Sequence, residues 1–206
     1  MPGAAGVVVG DLSSLAETKA MAVGAYDVVV HNAGVQERDR VVTVDGLERT
    51  FQVNVLAPYV LTCLLPRPSR LVYLTSGLEA DGEVHLDDLQ TERRPFRGMQ
   101  AYADSKALDV VLALAVACRW PDVAVNAVDP GWVRTRMGGG GAPDSLADGA
   151  ETQVWLATSD EPAALESGRY LKHRRSLRPN VAATDVDVQE GLLAALERLT
   201  GVALPD

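Results

Sequence analysis

Only two cysteines, three histidines and two phenylalanines occur among the 206 residues, and 19 Lys and Arg face 28 Asp and Glu. Each shortage excludes something. Cys63 and Cys118 both fall in apolar helical patterns, where buried free thiols are expected rather than a disulfide framework or a metal set. His31, His85 and His173 have no metal-binding spacing. A net charge of -9 and a pI near 4.8 leave no basic face of the kind a general nucleic-acid binder needs to neutralise phosphates. The longest mostly apolar run, "ALDVVLALAVAC" at 107–118, is interrupted by Asp109 and falls short of the about 20 residues of a membrane span. The first ten residues carry no Lys or Arg and lack the charged start of a secretory signal. The expectation is a cytoplasmic protein without nucleic-acid or membrane partners. The one basic run, "KHRRSLR" at 172–178, reads as a solvated surface patch or as a contact to phosphate.

Against these absences the composition, 47% hydrophobic and 23% charged, is that of an ordinary core-forming chain, and residues 1–206 read as a single domain. Short β-rich runs alternate with helical ones. "GVVVGD" precedes "LAETKAMA"; "YDVVVHNAG" precedes a helix near 46–65; "RLVYLTS" precedes a helix near 101–118. "VAVNAVDPG" leads to a helix near 146–158, "GRYL" to a last helix near 187–199. Several strand runs are continuously apolar, as when helices cover both faces of a parallel sheet, so the fold class is doubly wound α/β. Two long loops follow strand ends, Gly77 to Gln100 and the stretch from the glycine run Gly138 to Gly141. In open α/β sheets the ligand lies outside the carboxyl ends of the strands, so these loops are expected to enclose a substrate.

Candidate chemistry lies on the same edge. Tyr102 and Lys106 are four apart at a helix start and share a helical face. With five tyrosines and three lysines, such a pair arises by chance in roughly one chain in fourteen, so alone it is weak. A phenol is a poor acid or base at neutral pH, and a nearby ammonium favours its ionised form. Ser76 ends an apolar strand, where it either caps a turn or offers a hydroxyl. Asn54 precedes Pro58 by four residues, so its carbonyl lacks the usual helical donor; a kink, and a carbonyl free to hold water, are expected there. "HNAG" at 31–34 and "DPGWVRT" at 129–135 are ordinary strand-to-helix turns or allow close approach of a flat ligand.

Together and in this order, "HNAG", Asn54, Ser76, "YADSK" and "DPGWVRT" resemble the short-chain dehydrogenase/reductase family, with its N-N-A-G, Y-x-x-x-K and P-G-x-V-x-T motifs. The resemblance runs along essentially the whole chain. The segment from Ser76 to Tyr102, with "DDLQ", is most similar to the retinol-dehydrogenase-like branch. The resemblance implies a Rossmann-like oxidoreductase that moves a hydride between NAD or NADP and a small-molecule alcohol or carbonyl. Tyr102 would be the general acid/base, Ser76 would polarise the carbonyl, and Lys106 would hold the nicotinamide ribose and lower the tyrosine pKa. Asn54 would hold the water of a proton relay. Asp11 would lie at the adenine; Asn32, Ala33, Gly34, Pro130, Gly131, Val133 and Thr135 would lie along the cofactor. A homodimer through the Asn54 and Tyr102 helices is also implied.

His31 replaces the first Asn of the motif, a position that acts through its backbone. The family's glycine-rich pyrophosphate turn, T-G-x-x-x-G-x-G, has no match, because the glycines of "PGAAG" precede a strand rather than follow one. By the family pattern "GVVVGD" is the third strand. The fold is thus expected to be N-terminally truncated by two strands and two helices, roughly 40 to 50 residues at average element lengths. That leaves the "YDVVV" strand with an open edge, which "GVVVGD", another chain, or residues upstream of the given start would cover. A catalytically silent binding or dimerisation module is the alternative function.

Overall fold

A computed structural model describes residues 6–206. Val28–His31 (β1), Arg70–Leu74 (β2), Ala124–Val128 (β3) and Arg169–Lys172 (β4) form a parallel sheet in that order, and Arg175–Ser176 (β5) returns antiparallel to β4. The registers align His31, Tyr73, Ala127 and Tyr170 in one row across the sheet. The segments that follow these residues therefore leave from a common edge.

The helices are Leu15–Ala20 (α1), Arg49–Phe51 (α2), Ala57–Leu64 (α3), Gly98–Arg119 (α4), Leu146–Thr158 (α5), Pro162–Leu165 (α6) and Val186–Thr200 (α7). Successive strand residues face opposite sides of a sheet. Accordingly Leu71, Tyr73, Val125 and Ala127 pack with α3, α4 and α7, whereas Val72, Leu74, Val128 and Leu171 pack with Trp155, Leu156 and Ala164 of α5 and α6. Helices on both faces make the sheet doubly wound, as the continuously apolar strands imply.

Helix α4 is the central element. It is apolar nearly all round, the pattern of a buried helix, and Ala101, Ala103, Ala107, Ala113 and Ala115 let neighbours approach closely. Leu192, Leu193 and Leu196 of α7 join the same core. Helix α7 is capped by the Asp185 carboxylate, which accepts from the Asp187 and Val188 amides, and it ends at Gly201 with φ 67°. Beyond it the tail is tied back, Trp120 Nε1 donating to the Pro205 carbonyl and the Tyr59 hydroxyl to that of Val202. Helix α7 and this tail thus cover part of the α3 and α4 surface through which a homodimer is expected.

Several details differ from the expectations. "GVVVGD" is not a strand: Val7, Val8 and Val9 are 69%, 50% and 89% exposed, and no described strand runs beside them to complete their hydrogen bonds. It therefore does not cover β1, which is the sheet's edge, with Val30 39% exposed. The "PGAAG" stretch lies outside the described residues apart from Gly6. Pro58 does not break its helix. A single π-helical turn, Gln52–Leu56, joins α2 to α3, with the Ala57 amide donating to the Gln52 carbonyl. Cys63 is buried as expected, but Cys118, in the last turn of α4, is exposed. Among the described residues no helix is long and apolar enough to cross a membrane.

A buried polar chain links the first two strands to α3. His31 Nε2 lies 3.0 Å from Thr62 Oγ1, which lies 2.6 Å from the Tyr73 hydroxyl, and the His31 and Tyr73 rings are 4.9 Å apart. Burial pushes His31 down to about 4, from an ordinary 6.5, so the ring is held neutral. As pH falls from 6.5 toward 4 the unfolded chain takes up a proton that the folded chain refuses. His31 therefore contributes stability that is present above 6.5 and lost on acidification, about 3 kcal/mol in all. Between those pH values His31→Asn is expected to lose less stability than the wild type, as read from urea unfolding curves. Gly98, at the start of α4, meets the loop after β1 so closely that an added Cβ would lie 2.1 Å from the Glu37 carbonyl oxygen, whereas Gly140 has open space around it. Thermal unfolding should show Gly98→Ala destabilised by about 2 kcal/mol or more and Gly140→Ala changed by about 0.5 kcal/mol at most.

Candidate active site

The chain leaves β1 as Asn32, Ala33 and Gly34, and Asn54 fixes its course. Asn54 is 1% exposed. Its Nδ2 donates to the Val35 carbonyl and to Ser105 Oγ, both at 2.9 Å, while its Oδ1 accepts from the Val35 amide at 2.8 Å. The Ser105 hydroxyl donates in turn to the Tyr102 carbonyl. Asn54 thus ties the loop after β1 to α4 through its side chain, a task that the free-carbonyl argument does not foresee. A Cβ on Gly34 would lie 3.4 Å from Asn54 Oδ1 and 3.6 Å from Lys106 Nζ. Asn32 and Ala33 are exposed beside a cleft of 160 Å³ that they share with Leu12, Val30, His31, Pro58 and Leu61. A larger concavity of 330 Å³ on the outer face of α5 is lined by none of these residues.

Ser76 stands just past β2 and caps the 3₁₀ turn Gly77–Asp81, its Oγ accepting from the Leu78 amide. Its hydroxyl also lies close enough to the Tyr102 phenol to favour the ionised form. Lys106 is 4% exposed and donates to the Leu74 carbonyl at 2.9 Å and to Asp109 Oδ2 at 2.7 Å. Its Nζ is 5.8 Å from the centre of the Tyr102 ring. Lys106 does pull the phenol's pKa down, and so does Ser76. Burial outweighs both, Asp109 and Asp129 add to it, and Tyr102 is held above its ordinary value. The expected net lowering by Lys106 is therefore not what this arrangement produces; the phenol is kept protonated.

The "DPGWVRT" turn meets this edge through Asp129, to which the sequence argument assigns no role. Asp129 is 3% exposed; its Oδ1 accepts from the Gly131 amide at 2.8 Å and its Oδ2 from Lys172 Nζ at 2.9 Å. A Cβ on Gly77 would lie 3.1 Å from that Oδ2, so Asp129 joins the turn after β3 to the turn after β2 and to β4. Gly131 has φ +87°, and a Cβ there would fall 2.3 Å from Asp144 Oδ2. Pro130 is half-buried beside it. Val133 bridges to Asp144 and packs on Gly149 of α5, and the exposed Thr135 accepts from the Gly138 amide. Asp11 is exposed; its carboxylate accepts from the Ser13 amide and hydroxyl, and its amide donates to Glu17 Oε2. Asn54, Gly34, Ser76, Tyr102 and Lys106 are thus brought together, with Pro130 and Gly131 joined to them through Asp129. Contacts of Val133, Thr135 and Asp11 lie elsewhere.

The long loops differ from each other. Residues 77–100 are fastened to α4 and to the segment before α7: Arg94 pairs with Asp88, Asp104 and Glu83, and Asn180 bonds to Glu79 and Gly82. Gly139, Gly140 and Gly141 have open space around them. In the basic run Lys172 pairs with the buried Asp129 and Arg174 with Glu151.

Comparison with known proteins agrees with this layout. A family model described as enoyl-(acyl carrier protein) reductase matches residues 9–165. Short-chain dehydrogenase chyC of Penicillium rubens is 40% identical, over 99% of this chain and 82% of that protein. Human retinol dehydrogenase 13 is 31% identical over 87% of this chain and 62% of its own length. A solved structure of an uncharacterised Mycobacterium paratuberculosis protein superposes with a TM-score of 0.81 at 26% identity, covering 95% of this chain and 75% of that one. With the motifs in register and the doubly wound sheet beneath them, the chain belongs to the short-chain dehydrogenase/reductase family.

Proposed function

We propose that this chain is an NAD(P)-dependent oxidoreductase acting on a small-molecule alcohol or carbonyl, with Tyr102 as its proton donor and acceptor. The observation that carries the reading is the meeting of the Tyr102 phenol, the Ser76 hydroxyl and the Lys106 ammonium at the carboxyl edge of the sheet.

The residues fit the nicotinamide end of such a cofactor. Gly34 leaves open the space that a Cβ would fill beside Asn54 and Lys106, and Asn32 and Ala33 line the adjoining cleft. Lys106 spends two of its three N–H groups on Leu74 and Asp109, which leaves one for a ribose hydroxyl. Gly34, Asn32, Ala33, Pro130, Gly131, Val133 and Thr135 are assigned to the cofactor's length and Asp11 to its adenine. The described residues contain no glycine-rich turn for the diphosphate. When bound, the nicotinamide supplies or takes up hydride. Ser76 holds the carbonyl oxygen, and Tyr102 gives that oxygen its proton. A protonated phenol is the form that acts as the acid in carbonyl reduction. Alcohol oxidation needs the phenolate and speeds up as pH rises.

Reduction of a panel of ketones and aldehydes, followed by loss of reduced-cofactor absorbance, tests the reading. Tyr102→Phe should lower kcat by about 10²- to 10⁴-fold with an unchanged Tm. Asn54→Ala, which frees the loop after β1, should raise the KM for cofactor by about tenfold or more. A Tyr102→Phe variant as fast as the wild type contradicts the reading.

A further inference from the structure

The Y-x-x-x-K pair leaves the next turn of α4 without a role, and that turn carries a buried acid. Asp109 is 2% exposed, between Leu108 and Val110 on a helix otherwise packed with Ala, Val and Leu. Its Oδ2 receives the Lys106 ammonium at 2.7 Å, and its Oδ1 is buried with no partner among the described residues. An ammonium taken out of water beside apolar groups sheds its proton unless an opposite charge stands next to it. Asp109 is that charge. The Leu74 carbonyl, 2.9 Å from Nζ, fixes the ammonium from the sheet side. The two acceptors together leave a single N–H for whatever occupies the site.

Among the described groups facing the pair one is a carboxylate, Asp129, and it is itself paired with Lys172. Tyr102 lies on the same helix. From β2 comes Tyr73, held protonated by burial and bonded to Thr62 of α3, with His31 of β1 beyond it, held neutral. Asn54 approaches from the π turn and is uncharged, and Asp129 reaches Tyr102 from the turn after β3. Among the described residues Lys106 is the charge that stabilises the Asp109 carboxylate, and burial outweighs it, so that the carboxyl is still pushed up to about 6.

We propose that Asp109 is the positioning residue for Lys106, fixing the ammonium in one place and supplying its buried counter-charge. This rests on the reading of Lys106 as the partner of the cofactor ribose and of Tyr102. Asp109→Asn keeps the shape and an acceptor oxygen but removes the charge. In carbonyl reduction with NADPH, its kcat profile should gain an alkaline limb, with a loss of about tenfold between about pH 6.5 and pH 9 that the wild type does not show. A merely structural role would lower kcat equally at every pH, and a profile parallel to that of the wild type overturns the proposal.

A second measurement needs no turnover. Lys106→Met leaves the Asp109 carboxylate buried alone, raising its pKa further. The folded variant then binds more protons than the unfolded one, so its stability to urea should fall as pH rises from about 6.5, above which His31 adds no slope of its own, to about 8. The double variant Lys106→Met/Asp109→Asn should lack that slope. A single variant that folds only at the acid end, beside a double variant that folds at both, has the same meaning. Equal slopes in the two variants overturn the pair. A wild type inert toward every carbonyl would condemn the oxidoreductase reading and leave this second result standing.

Discussion

A lysine side chain sits almost wholly out of water at the end of β2, and the site depends on what makes that possible. Burial of Lys106 at 4% exposure requires acceptors in place before any ligand arrives, and the Leu74 carbonyl and Asp109 are those acceptors. They can meet Lys106 only because α4 lies flat against the sheet, which its alanines permit and which α7 enforces from the other side. Tyr102, one turn earlier on α4, comes to Ser76 as part of the same rigid element. The reacting groups are placed by core packing, and the loops add to a geometry that is already set.

The surrounding turns are fastened to this frame by single polar side chains. Asn54 holds the exit from β1, and Asp129 holds the exits from β2 and β3 against β4. Each is nearly fully buried with its polar atoms matched, so each specifies one arrangement of backbone that is otherwise free to vary. The loop 77–100 is anchored in the same manner by Arg94. By contrast, Gly139, Gly140 and Gly141 have open space around them.

Much of this was legible in the sequence wherever local pattern decides the outcome. Strands β1 to β4 and helices α4, α5 and α7 follow from apolar runs and helical periodicity, and Ser76, Tyr102 and Lys106 fall on strand ends and helix starts that the pattern locates. Legibility ended where partners are distant. "GVVVGD" has the composition of a strand, but a strand exists only if another lies beside it, and none of the described ones does. Asp129 and its partner Lys172 are 43 residues apart in sequence, so the pair leaves no local trace. The helical offset of Lys106 and Asp109 was visible, but a pair three residues apart reads as a surface feature until both groups are known to be buried. The sign of the Tyr102 shift failed for the same reason, since the pull of Lys106 is a matter of spacing and the larger opposing push comes from burial. At Pro58 the missing donor was read correctly, and the π turn that precedes it, Gln52–Leu56, is buried within the core.

The central claim is that this frame receives a nicotinamide cofactor against Gly34 and Lys106. Calorimetric titration of the full chain with NADPH and with NADH tests it most directly. The account predicts saturable binding of at least one of them with a Kd of about 0.1 mM or tighter, weakened about tenfold or more by Lys106→Ala. Absence of binding to both at about 1 mM cofactor, in protein shown to be folded, would contradict it.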